Sequence, residues 1–239
     1  MRLDSVKVVS FSGIDGAGKS TQIDALCRLL RARGLHYVLY TFWDDVVAFS
    51  RLRERISLRA FKGDEGIGSP DRPIVRRDKN VSTWYTTIFR LFLYMLDAFS
   101  LSVAVSRSAE SDADFLIFDR YIYDELANLP MKNSAVRLYV RALLRFIPRP
   151  DAALFLDADP EVATTRKPEY PLEFVRRNRD AYHRITRLVG MTVVPPLSIE
   201  QTTGFIEELV LAKCLRMGEY AFQHGREDDR AASLEAHHS

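Results

Sequence analysis

Between Ser10 and Gln22 the chain reads SFSGIDGAGKSTQ, three glycines, a lysine and hydroxyls directly behind the apolar run VKVVSF. Residues 13–20 fit G-x-x-x-x-G-K-[ST], the phosphate-binding loop. Such a loop turns its backbone N–H groups inward around phosphate oxygens, and the helix that follows adds partial positive charge at its N-terminus. Lys19 is then expected to reach the β- and γ-phosphates of ATP and Ser20 to ligate Mg²⁺. Gly13, Asp15, Gly16, Ala17, Gly18, Lys19, Ser20 and Thr21 are the candidate nucleotide contacts. A second acid is needed for the metal. DFLIFDR (Asp114–Arg120) reads as a buried strand that delivers Asp119 to the carboxyl edge of a sheet, where ligands bind in open α/β folds.

These residues need a scaffold, and the rest of the chain supplies one. Apolar runs without alternation, at Lys7–Phe11, Tyr37–Phe42, Phe115–Phe118, Ala152–Leu156 and Thr192–Val194, read as strands covered on both faces. Helical patterns lie between them at Lys19–Arg33, Trp84–Ser108, Asn133–Phe146, Leu172–Val189 and Ile199–Arg216. The alternation predicts a three-layer α/β domain with a five-stranded parallel sheet flanked by helices, the P-loop NTPase fold. One P-loop domain over residues 1–217 is expected, with a polar tail at 218–239. Residues 44–80 hold seven arginines, two lysines and the loop-forming KGDEGIGSPDRP, and read as a mobile element on the acceptor side.

Composition narrows the function classes. Thirty-four basic against 32 acidic residues leave a net charge of +2, which argues against a general nucleic-acid binder. Cys27 and Cys214 lie far apart without metal-ligand spacing and read as reduced thiols, as suits a cytoplasmic protein. Trp84–Val105 is the longest apolar stretch, but Arg90 and Asp97 interrupt it, so a buried helix or a dimer interface is expected rather than a membrane span.

The motifs together resemble those of thymidylate kinases. FSGIDGAGKSTQ, FDRY (Phe118–Tyr121), PDAALFLDADPEVATTR (Pro150–Arg166), the Glu169–Tyr182 segment and VVPPLSIEQTTGFIEEL follow one another in that family's order. The resemblance implies that Asp15 meets the sugar hydroxyl of the acceptor nucleotide and that Arg120, in the Asp119-Arg120-Tyr121 triplet, approaches the transferred phosphoryl. It also implies that Arg166 opens a short lid at 166–171, and that Tyr94 and Asp97 stand where the family reads the base. The implied catalytic set is Lys19, Asp15, Arg120 and Arg166, the acceptor set Asp15, Tyr94, Asp97, Arg120 and Tyr121, and the metal set Ser20 and Asp119. A small nucleotide-like phosphate acceptor and a homodimer are the implied partners.

The departures fall on the acceptor side. Where the family has an R-E-P-G-like motif after strand two, this chain has TFWDD (Thr41–Asp45). Where the family has an F-x-A-D-R-like motif, this chain has Tyr94-Met-Leu-Asp-Ala98, with alanine for the arginine. The leading expectation is γ-phosphoryl transfer from ATP to a nucleoside monophosphate, dTMP first. The alternatives are a kinase of the same fold with another small acceptor, and an ATP-binding regulatory module with little turnover. Arg120 and Arg166 speak against the last, because binding alone does not need them.

Overall fold

The computed structural model describes residues 5–47, 84–109 and 112–214. Most of the expected acceptor-side element and the whole of the C-terminal tail lie outside the described residues. Five strands form one sheet: β1 (Lys7–Ser12), β2 (Tyr37–Thr41), β3 (Phe115–Asp119), β4 (Ala152–Leu156) and β5 (Thr192–Val194). Their order is β2-β3-β1-β4-β5 and every pairing is parallel. The register sets Phe11 opposite both Asp119 and Leu154, so β1, β3 and β4 run out at one edge.

Side chains alternate between the two faces of this sheet and build two core layers. Val9, Phe11, Phe115, Ile117 and Leu154 pack against α1 (Lys19–Ala32) and α7 (Ile199–Cys214) through Leu26, Leu30 and Val210. Val8, Leu116, Phe118 and Phe155 pack on the other face. There they meet α2 (Trp84–Ala109), α3 (Ile122–Ala127), α4 (Ser134–Leu143) and α6 (Leu172–Val189). The core strands are thus covered on both sides, which is why they carry apolar runs rather than alternation. Between β4 and α6 lies the short α5 (Pro160–Arg166), started by the Asp159 side chain on the Glu161 amide with proline in its first turn.

All five predicted strands and all five longer helices are present, with ends shifted by a few residues. Three short elements are not visible as sequence periodicity: α3, α5 and a π-helical turn at Phe42–Val46. That turn takes the first residues of the expected loop, and Asp45 helps form it by accepting from the Thr41 amide at 2.6 Å. Cys27 and Cys214 are both free and buried.

Within α2, Leu91–Ser108 is long and apolar enough to cross a membrane. Its inner face, Tyr94, Asp97, Ala98 and Leu101, is nonetheless buried within the protein, with Asp97 wholly so.

Candidate active site

The phosphate loop joins β1 to α1. Gly18 caps α1 in the left-handed region, φ 86°, and hands the chain directly to Lys19 at the first helical position. Gly16 has a second reason to be glycine. A Cβ there would lie 2.4 Å from the Ala163 carbonyl oxygen of α5, and its φ is +83°. Gly16→Ala therefore meets both a backbone clash and a strained conformation. We expect a loss of about 2–4 kcal/mol in urea unfolding, whereas alanine at Gly204, where nothing crowds a Cβ, should be tolerated.

Lys19 is buried and folded back on its own loop, its Nζ donating to Gly13 O at 2.9 Å and Ile14 O at 3.0 Å. Burial first, and the Arg120 charge second, lower its pKa to about 8, against the pull of Asp15, Asp124 and Asp119. Its ammonium thus rests on carbonyls that a phosphate oxygen can replace.

Arg120 follows β3 and is the only residue other than glycine with positive φ among those described, at 68°. Its N–H donates to Phe11 O at 2.9 Å, which ties the strained turn to β1. Holding a non-glycine residue in this region costs roughly 1–3 kcal/mol, and such strain clusters at functional sites. The strained backbone aims the guanidinium between two acids. Nη2 pairs with Asp15 Oδ1, and Nη1 lies 3.7 Å from Asp124 Oδ1. Burial works against the charge, but Tyr182, Asp15, Asp124 and Asp119 outweigh it, so the group stays cationic.

Asp119 ends β3 as expected, and its Oδ1 is buried without a hydrogen-bond partner. A buried carboxylate oxygen without a donor calls for an explanation such as an ion or water. The residues present fit Mg²⁺, a hard cation that keeps its waters and takes carboxylate and hydroxyl oxygens: the orphaned Asp119 oxygen and the exposed Ser20 at the start of α1 are both available to it.

A cleft opens beside Asp15 and Arg120. Trp43, Tyr170 and Phe174 give it aromatic walls, and Glu125, Asn128 and Asn178 give it polar groups. Tyr170 and Phe174 stand with ring centroids 5.0 Å apart. Asp15 and Arg120 are thus brought together, while other candidates lie elsewhere. The Tyr121 ring is wholly buried and its hydroxyl donates to Pro148 O at 2.6 Å, so it supports the core rather than the cleft. Tyr94 stands behind the cleft, its hydroxyl donating to Glu125 at 3.3 Å, and Asp97 is buried deeper on the same helix. Arg166 is exposed at the end of α5 and does not line the cleft.

The sequence reading missed Trp43, Asp124, Glu125, Asn128, Tyr170, Phe174, Asn178 and Tyr182 as lining residues. A signal for some of them was present: Phe174, Asn178 and Tyr182 recur every four residues along one side of α6, and Tyr170 stands just ahead of that helix.

No family model matches the chain. Among curated proteins it resembles the thymidylate kinase of Prosthecochloris aestuarii, 32% identical over 190 residues, 74% of this chain and 72% of the relative. The thymidylate kinase of Chlorobaculum tepidum is 29% identical over 205 residues, covering 74% of this chain and 83% of its own length. That of Chlorobium luteolum is 28% identical over 188 residues, 74% and 75%.

Proposed function

This chain belongs to the thymidylate kinase family and is a nucleotide kinase, and from that premise we propose that it transfers the γ-phosphoryl group of ATP to dTMP. One observation carries the reading. The Asp15 of the phosphate loop and the Arg120 that follows β3 form an ion pair in the lining of a cleft with aromatic walls. A donor triphosphate on the loop and a nucleotide in that cleft would meet at Arg120.

In this reading Lys19 leaves the Gly13 and Ile14 carbonyls for the β- and γ-phosphates. Asp15 takes the sugar hydroxyl of the acceptor. Arg120 follows the transferred phosphoryl and stabilises the charge spread over its oxygens, the chief contribution a protein makes to this chemistry. Ser20 and Asp119 would hold Mg²⁺, which when bound would supply positive charge against the negative charge that develops on the phosphates. The backbone contact between Gly16 and Ala163 couples the loop to α5, which supports Arg166, three residues on, as the opening of the lid. Cytoplasmic residence and a homodimer belong to the same reading. The first is supported by the buried free thiols and the second by exposed Phe92, Met95 and Phe99 on α2.

A second reading, a kinase with another acceptor, draws on the charge of the cleft. Among its described residues three carboxylates, Asp15, Asp124 and Glu125, face one guanidinium, Arg120. The test is ADP release from Mg²⁺–ATP across nucleoside monophosphates, nucleosides and sugar phosphates. Turnover of dTMP well above the rest supports the first reading, and turnover confined to another acceptor replaces it with the second.

The lowered pKa of Lys19 gives this reading a pH signature. kcat/KM reports the free enzyme, in which Lys19 deprotonates near pH 8. kcat/KM for ATP is expected to fall about tenfold per pH unit above 8. kcat should hold to higher pH, because bound phosphates favour the ammonium. A profile flat to pH 10 would remove Lys19 from the donor phosphates.

A further inference from the structure

Asp124 is absent from the candidates read from the sequence, yet its carboxylate accepts three hydrogen bonds in the site. It is 3% exposed and stands in the first turn of α3. Its Oδ2 accepts from Ser12 Oγ at 2.6 Å and from the Tyr121 amide at 2.9 Å. Its Oδ1 accepts from the Tyr182 hydroxyl at 2.6 Å and faces Arg120 Nη1 at 3.7 Å. One carboxylate therefore gathers the last residue of β1, the strained turn after β3, and α6.

The two acids on Arg120 are not equivalent. Asp15 sits on a loop with partial exposure, and in the proposed reading it exchanges Arg120 for a sugar hydroxyl. Asp124 has no such freedom, because three hydrogen-bond donors from three parts of the fold fix both of its oxygens. The 3.7 Å approach is an electrostatic contact, beyond hydrogen-bond distance. It holds the guanidinium's charge and direction without occupying an N–H that a phosphoryl oxygen would need. Ser12, Tyr121 and Tyr182 could each be satisfied by a neutral amide of the same shape. A charge on the Arg120 side is what only a carboxylate adds, and a buried carboxylate is costly unless it is paired.

We propose that Asp124 is the positioning residue of Arg120: a fixed buried carboxylate, clamped by Ser12, Tyr121 and Tyr182, that keeps the guanidinium aimed when Asp15 turns to the acceptor. The proposal rests on the reading in which Arg120 meets the transferred phosphoryl.

The test is a four-corner cycle of wild type, Asp124→Asn, Arg120→Ala and the double variant. It uses radiolabelled ATP and the best acceptor of the panel, with kcat and both KM values measured and urea unfolding run alongside. Misplacing a catalytic group by about 1 Å costs about 10²-fold. Asp124→Asn is expected to lower kcat by about 10- to 100-fold with the KM for ATP changed less than about threefold. On the Arg120→Ala background the same change should alter kcat by less than about twofold, because the group it serves is gone. Equal losses on both backgrounds would overturn the positioning role while leaving Arg120 in place. Full activity in Arg120→Ala would instead overturn the reading beneath it. Should Asp124→Asn not fold, Tyr182→Phe replaces it in the cycle. It frees one side of the clamp and must lower kcat by at least about threefold with Arg120 present and not without it, and equal effects again overturn the proposal.

Discussion

Lys19→Ala is expected to lower kcat/KM by about 10³-fold while the protein stays folded and gains stability at neutral pH. The first half follows from the chemistry: removing one preorganised donor from a site of developing charge typically costs about 10²–10³-fold, and Lys19 carries a full charge. The second half follows from burial. A pKa lowered from 10.5 to about 8 means that the fold disfavours the ammonium by roughly 3 kcal/mol relative to the unfolded chain. At pH 7 both states are protonated and the fold bears that whole penalty. Between pH 8 and 10.5 the folded chain has released the proton and the unfolded chain has not, so wild-type stability rises with pH. Alanine removes the penalty and with it this rise. Urea unfolding of both proteins at pH 7 and pH 10 measures the difference: the variant's advantage at pH 7 should shrink toward pH 10. A large loss of stability at pH 7 would mean that the bonds to Gly13 and Ile14 matter more to the fold than the buried charge costs it.

The donor half of the site was legible because its chemistry is local. A phosphate loop needs its glycines, lysine and hydroxyl within eight consecutive residues, directly between a strand and a helix, and each of those is a short-range pattern. Asp119 was legible for a related reason: a buried strand has one carboxyl end, and an acid there has few places to point. The cleft proposed for the acceptor is assembled from the turns after β2 and β3, from α3 and from the segment around α6, and there the order of residues does not fix the direction of side chains. Tyr121 illustrates this. It directly follows Arg120, but its extended backbone, φ −138° and ψ 170°, lies next to one at φ 68°, and its ring enters the core while the guanidinium enters the cleft. Asp124 illustrates the other limit. An acid at the start of a short helix ordinarily serves the helix dipole at the surface. Only the placement of Ser12 and Tyr182, 112 and 58 residues away, turns it into a buried clamp. Likewise Gly16 is explained by phosphate binding alone until α5 is seen to cross it.

Arg120 gives the other large effect, and two substitutions divide its causes. Arg120→Ala and Arg120→Gly both delete the guanidinium, and each is expected to lower kcat by about 10³-fold or more, the lower end of what a well-placed arginine contributes to phosphoryl transfer. They differ in the backbone. At φ 68° alanine retains the left-handed strain, about 1–2 kcal/mol, and glycine does not. The glycine variant should therefore unfold at higher urea, by about 1 kcal/mol after its greater unfolded-state freedom is counted against it, although the two are equally inactive. Equal stabilities would mean that the turn relaxes once the side chain is gone. In that case the ion pairs with Asp15 and Asp124 impose the conformation, rather than the Phe11 carbonyl that holds the Arg120 amide. A glycine variant that is more stable and still active would remove Arg120 from the phosphoryl path. A more stable, inactive glycine variant would locate the reason for the strain in the guanidinium, since stability alone favours glycine in this turn.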